Sequence, residues 1–155
     1  MRVKNKVMML LMALMLVVSG MGVSATSFAA NTSDDPWSFS LGVKMTTMQH
    51  IVGRRKDNDS KNYIYWSSTY GGNLSKITIS PFGANSAQGK AYPAGTKSGG
   101  ERRYIMNQTG KYALTNFVYE LGYKYARPGM LGNKGSGGAK GVWSPDCAGS
   151  YTVLQ

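Results

Sequence analysis

Residues 37–45 read WSFSLGVKM, and their alternation decides the fold class. Trp37, Phe39, Leu41, Val43 and Met45 fall on one face, with Ser38, Ser40, Gly42 and Lys44 on the other. A period of two is the signature of a half-buried β-strand, because successive side chains leave a pleated backbone in opposite directions. Asp34-Asp35-Pro36 precedes it as a polar lead-in that the proline ring holds extended. Working outward, residues 63–70 make the next strand, with Tyr63 and Tyr65 on one face and Ile64 and Trp66 on the other. Gly71-Gly72-Asn73 turns the chain into a third strand, 74–80 (LSKITIS), and the two read as a hairpin. Shorter strands follow at 102–107, 141–143 and 150–154.

Between these runs lie stretches that read as loops. Residues 53–62 (GRRKDNDSKN) hold no apolar side chain and are expected to form a hairpin tip or mobile connection. Residues 83–101, rich in Gly, Ala, Ser, Lys and Pro, read as a long mobile surface loop with a short extended piece near 90–92. Residues 133–140 (NKGSGGAK) read as a flexible tip. Residues 112–126 are ambiguous. Leu114, Phe117, Val118 and Leu121 match a helical stripe, while Ala113, Thr115, Phe117, Tyr119, Leu121, Tyr123 and Tyr125 alternate as in a strand. Aromatic enrichment and Gly122 favour the strand, which Arg127-Pro128-Gly129 ends. The whole predicts an all-β domain, an antiparallel β-sandwich or small barrel of about six to eight strands.

The first thirty residues follow a different logic. Arg2, Lys4 and Lys6 make a cationic start, residues 7–18 (VMMLLMALMLVV) an unbroken apolar run, and residues 19–30 a small, polar close. That is the layout of a secretory signal peptide. The apolar run is shorter than the ~20 residues of a spanning helix. Ser27 and Ala29 are the small side chains a cleavage enzyme requires, which places the cut between Ala29 and Ala30, with Val23-Ser24-Ala25 as a second choice. Two segments result: a leader, 1–29, and a single secreted domain, 30–155.

All ten tyrosines and all three tryptophans lie in that domain, as suits a pleated, half-buried surface. The formal charge of the whole chain is +11, with Arg54-Arg55-Lys56 and Arg102-Arg103 the only clusters outside the leader. Such a charge draws an exported protein to anionic cell-wall polymer, a membrane surface or an acidic glycan, or simply keeps it soluble. Two short clusters lack the dense basic stripe of a nucleic-acid binder, so no nucleic acid is expected. Cys147 is the single cysteine, so no bridge can form within the chain. It is either a buried thiol or the link of a disulfide-bonded dimer.

Motifs for chemistry are thin. One histidine, His50, and one distant cysteine cannot furnish the four ligands of a structural zinc site. Asp57 and Asp59 occupy the first two oxygen positions of a calcium loop, but Lys61, Asn62 and Ser68 stand where it requires an oxygen donor, Gly and Glu. Of the acids, Glu120 alone falls inside a predicted strand, without an evident partner for glycosidase chemistry. No catalytic residue, metal or cofactor is expected, and the chain reads as non-enzymatic. What remains is aromatic. Tyr63, Tyr65, Trp66, Tyr119, Tyr123, Tyr125 and Trp143, with Arg127, are the candidate binding surface, since exposed rings stack on sugars and anchor protein contacts. Cross-strand pairing within the sheet is the competing use of the same rings.

Asp34-Asp35-Pro36 and Phe39, the run 122–127 (GYKYAR) and the run 141–146 (GVWSPD) resemble a family of small secreted proteins of Gram-positive bacteria with no assigned function. More distantly, the chain is similar to the lactococcin-972 type of exported bacteriocin, itself a small, basic, Tyr- and Gly-rich β-sandwich. The resemblance implies bacterial origin, export and an all-β domain, and transfers no functional residue. The expected role is binding at the cell envelope or bacteriocin-like action, with a carbohydrate- or wall-binding module as the alternative. Amino-terminal sequencing of the secreted protein is expected to begin at Ala30; secreted material that retains residues 1–29 would contradict the leader.

Overall fold

The computed structural model describes residues 31–154, so the leader and its cleavage point lie outside the described residues. Among the described residues thirteen strands run in chain order: β1 (Asp35–Gly42), β2 (Gln49–His50), β3 (Arg54–Arg55), β4 (Asn62–Tyr70), β5 (Lys76–Ser80), β6 (Phe82–Ala84), β7 (Tyr92–Pro93), β8 (Tyr104–Met106), β9 (Gly110–Leu114), β10 (Tyr125–Ala126), β11 (Gly129–Lys134), β12 (Ser136–Ser144) and β13 (Thr152–Leu154). They form a β-sandwich, as the alternation predicts. A five-stranded sheet ordered β1-β12-β4-β9-β13 makes one layer. Two four-stranded sheets, β2-β11-β5-β8 and β3-β10-β6-β7, make the other.

Three stretches of chain run from one smaller sheet into the other, β2 into β3, β5 into β6 and β10 into β11, while the longer connection 94–103 joins β7 to β8. β5 passes into β6 through Pro81, and β10 into β11 through Arg127-Pro128. A proline has no N–H to give to a ladder. The ladder therefore lapses where Pro81 and Pro128 fall side by side, and the Arg127 N–H spans the gap by donating to the Phe82 carbonyl (2.8 Å).

A longer continuity joins the layers. β4 pairs with β12 in the large sheet, and their chain neighbours β5 and β11 pair in the small one. The antiparallel ribbon thus folds over on itself at a corner made of residues 71–75 and 134–137. Asn73 fixes that corner: its N–H donates to the Ser136 carbonyl (2.9 Å) and its side-chain oxygen accepts from the Ser136 N–H (3.1 Å). Gly135, at φ +80°, turns the other strand in the left-handed region that side chains avoid. The expected hairpin of 63–70 with 74–80 is therefore corrected. The turn exists, but it carries the chain between layers, so Ile64 and Trp66 face Ile77 and Ile79 across the core instead of lying beside them. Likewise, 133–140 is no flexible tip but the end of β11, the corner and the start of β12.

The core is one cluster. Trp37, Leu41, Ile64, Trp66, Tyr112, Leu114, Ala139, Trp143 and Leu154 come from the large sheet, and Ile77, Ile79, Tyr104, Met106 and Met130 from the small. Trp66 and Trp143 are each 1% exposed. β4 carries a bulge at Ser67, where the register against β12 slips between Lys140 and Gly141. The Ser67 hydroxyl occupies it by donating to the Lys140 carbonyl (2.9 Å).

Three further expectations change. Within 112–126 the strand stops at Leu114, because Asn116 then takes over the backbone: its side-chain oxygen accepts from the Val118 N–H (3.2 Å). A single turn follows, closed by Leu121 N–H to Phe117 (3.0 Å), which seats Val118 in the core and explains the helical stripe. Residues 83–101 hold β7 and a buried Ala94 whose N–H reaches the Pro81 carbonyl (3.0 Å), so this connection is packed. The strand expected at 150–154 forms as β13, but it pairs parallel to β9 at the sheet edge instead of antiparallel.

Truncating Trp143 to Ala is expected to cost about 3–5 kcal/mol, the range for a large core aromatic. Urea unfolding followed by fluorescence measures it, and a loss under about 1 kcal/mol would contradict the packing.

Candidate functional site

β3 and β10 pair in register, Arg55 opposite Tyr125 and Arg54 opposite Ala126. The turn between Phe117 and Tyr123 folds over this edge, and the Lys56 N–H ties it down by donating to the Lys124 carbonyl (3.0 Å). The result is a cleft of about 400 Å³ lined by Arg55, Lys56, Asp57, Tyr119, Gly122, Tyr123, Lys124 and Tyr125. Tyr119, 45% exposed, stands at its margin. The Tyr123 side chain packs against Gly83, where any Cβ would collide with it. It also stacks on Tyr92, centroids 5.7 Å apart and planes within 7°. The Lys90 ammonium sits 5.3 Å from the Tyr92 centroid, within reach of a cation–π contact. The only carboxylate in the lining, Asp57, is engaged by Arg55 (Nε to Oδ1, 2.8 Å).

Three of the eight expected surface residues, Tyr119, Tyr123 and Tyr125, thus come together. The others do not join them. Trp66 and Trp143 are core residues, and Tyr63, 7% exposed, packs on Tyr151 with centroids 4.8 Å apart. These three are corrected from surface to interior: Trp66 and Trp143 face the second layer, and the C-terminal segment covers Tyr63 through Tyr151. Tyr65 belongs to the other layer, with Lys111 5.7 Å from its ring, beside a shallow depression of about 490 Å³. Arg127 is half-buried and spent on structure, donating to the carbonyls of Ile51 and Gly89. Sequence reading passed over Tyr92 and Lys90, since both lie in a stretch whose composition reads as loop.

Behind the cleft wall the expected charged loop 53–62 folds inward. Lys56 and Asp146 form an ion pair of 2.6 Å with both side chains fully buried. The ammonium also donates to the carbonyls of Pro145 (2.7 Å) and Ser60. Asp146 Oδ2 accepts from the N–H groups of Asn31 (2.7 Å) and Asp57 (3.4 Å). Burial lowers the Lys56 ammonium from its usual range, against the pull of Asp146. Asn62 and Asn116 complete the packing by donating to the Pro145 and Ser60 carbonyls (2.8 and 3.1 Å). Cys147 is half-buried next to this network, its N–H donating to Ser60 Oγ (3.2 Å).

His50 stands edge-on to Phe82 at 4.7 Å, its Nδ1–H donating to the Arg127 carbonyl (3.4 Å). Burial lowers its pKa, and no acid or nucleophile is bonded to it. Among the described residues no three His, Cys, Asp or Glu side chains gather where an ion could be held.

The family described as "Protein of unknown function (DUF2712)" matches residues 25–147, and the chain belongs to it. No curated protein and no solved structure matches the chain.

Burial raises the Tyr63 phenol from 10.0 to about 12, with the charge of Asp34 adding to the effect. Between those pH values the unfolded chain loses a proton that the folded one keeps. Stability is therefore expected to fall as pH rises from 10.0 toward about 12. Tyr63→Phe should make the fall shallower without abolishing it, because burial raises Tyr104 as well. Urea midpoints measured across that range test this, and an unchanged slope would contradict it.

Proposed function

We propose that this chain is an exported, non-enzymatic binding protein of the bacterial cell envelope, and that the tyrosine cleft on the small sheet is its binding surface. The ligand class is an anionic glycan or wall polymer, in which sugar rings alternate with negative charge. The convergence of Tyr119, Tyr123 and Tyr125 with Arg55 and Lys124 around one cleft carries the reading. Tyrosine faces offer broad apolar area for a sugar ring at little entropic cost. Lys124 supplies positive charge, and the one acid in the lining, Asp57, is offset by its ion pair with Arg55. The stacked Tyr92 and the adjacent Lys90 extend the same chemistry beyond the cleft.

The export leader and the Gram-positive setting read from the sequence are the conditions under which such a cleft meets its ligand. A bacteriocin-like role is a consequence of the same binding, and growth inhibition by the purified protein would reveal it.

Retention on purified cell wall and on soluble anionic polymers, at low and high salt, tests the proposal. Tyr123→Ala is expected to weaken binding about tenfold, or 1.4 kcal/mol, at every salt concentration. Lys124→Gln should weaken it mainly at low salt, because salt screens an exposed charge. Tyr65→Ala, on the other sheet, should leave it unchanged. Retention indifferent to salt, to soluble sugar and to Tyr123 would overturn the assignment.

A further inference from the structure

We propose that Lys56 and Asp146 are joined by a covalent amide, an intramolecular isopeptide bond formed by the folded protein itself. The inference is independent of the ligand and rests on four groups placed around one pair of atoms.

The nucleophile and the acyl group are in contact, with Nζ 2.6 Å from Oδ1 and both side chains fully buried. Holding reactants in this way converts a bimolecular condensation into an effectively unimolecular one. Ser60 Oγ lies 3.3 Å from Nζ and 3.3 Å from Oδ1, so one hydroxyl bridges the atom that loses protons and the atom that leaves. The Cys147 N–H (3.2 Å) holds that hydroxyl in place. Asp146 Oδ2 faces two backbone donors, the N–H groups of Asn31 and Asp57. Donors of this kind stabilise the negative oxygen of a tetrahedral intermediate.

The step balances without a co-reactant. The ammonium passes one proton to Oδ1, leaving an amine and a carboxylic acid. The amine lone pair attacks Cγ, a C–N bond forms, and the electron pair of the C=O bond moves onto Oδ2. A second proton travels from Nζ through Ser60 Oγ to Oδ1. The Cγ–Oδ1 bond then breaks, the Oδ2 electron pair restores the C=O bond, and water departs. The third proton stays on the amide nitrogen. Two buried charges vanish, and with them the desolvation cost of a buried ion pair.

The product leaves the neighbouring polar groups satisfied. The amide N–H retains the Pro145 carbonyl, 2.7 Å from Nζ, and Oδ2 retains both backbone donors. The Ser60 carbonyl, which loses the ammonium, still accepts from Asn116 (3.1 Å). The bond ties the chain just after β3 to the chain just after β12, positions 90 residues apart, and so staples the small sheet to the large one.

Intact mass and peptide mapping of the purified wild-type protein decide the matter, with no variant required. The expected mass is that of the polypeptide less one water. The expected map has a branched peptide joining Lys56 to Asp146 and no tryptic cut after Lys56. Ser60→Ala, folded by circular dichroism, should form the link at least tenfold more slowly. A wild-type protein of full mass that trypsin cuts after Lys56 once denatured overturns the bond. A Ser60→Ala protein linked as fast as the wild type overturns the relay assigned to Ser60.

Discussion

The structure depends on one ribbon burying its own inner face. β4 and β12 contribute Ile64, Trp66, Ala139 and Trp143, and the same two chains, past the corner at Asn73 and Gly135, return with Ile77, Ile79 and Met130. The corner brings these sets into opposition. A tryptophan buries roughly 150–250 Å², which at about 25 cal/mol per Å² stabilises the fold by some 4–6 kcal/mol as an upper estimate. Glycine and asparagine at the corner are thus as structural as the tryptophans, because without the fold-over each half would present an apolar face to water.

The site follows from what the ribbon does next. Beyond the paired prolines 81 and 128 the ladder resumes in a second small sheet, whose β3–β10 edge is left for the 117–123 turn to cover. Covering it incompletely leaves the cleft. Two kinds of charge then divide by depth. Arg55 and Lys124 stay at the surface, Arg55 paired with Asp57, while Lys56 turns inward and pairs with Asp146. Adjacent residues in one basic cluster therefore differ: Arg55 faces solvent, whereas Lys56 ties the chain after β3 to the chain after β12.

Much of this is legible in the sequence. The alternation of 37–45 and of 63–70 sets the all-β class, and Tyr119, Tyr123 and Tyr125 stand out in the sequence as candidates for a binding face. The illegible parts share a cause. A Trp or Tyr at an alternating position reads the same whether that face meets water or a second sheet, so Trp66, Trp143 and Tyr63 passed for surface. Lys56 sits in a run with no apolar neighbour, and nothing local tells it from the exposed Arg55 beside it; its partner lies 90 residues away. Glycine-rich stretches such as 133–140 read as flexible because composition records backbone freedom and not the pairing that removes it.

The amino-acid sequence by itself determined the class of structure, the absence of an internal disulfide and the aromatic, basic character of the surface, since periodicity, cysteine count and charge are properties of short windows. Tertiary structure alone decided which strands pair, which rings remain in solvent and which lysine is buried. These are long-range outcomes: a strand's polar edge accepts many partners, and only packing the ribbon's two halves against each other selects one.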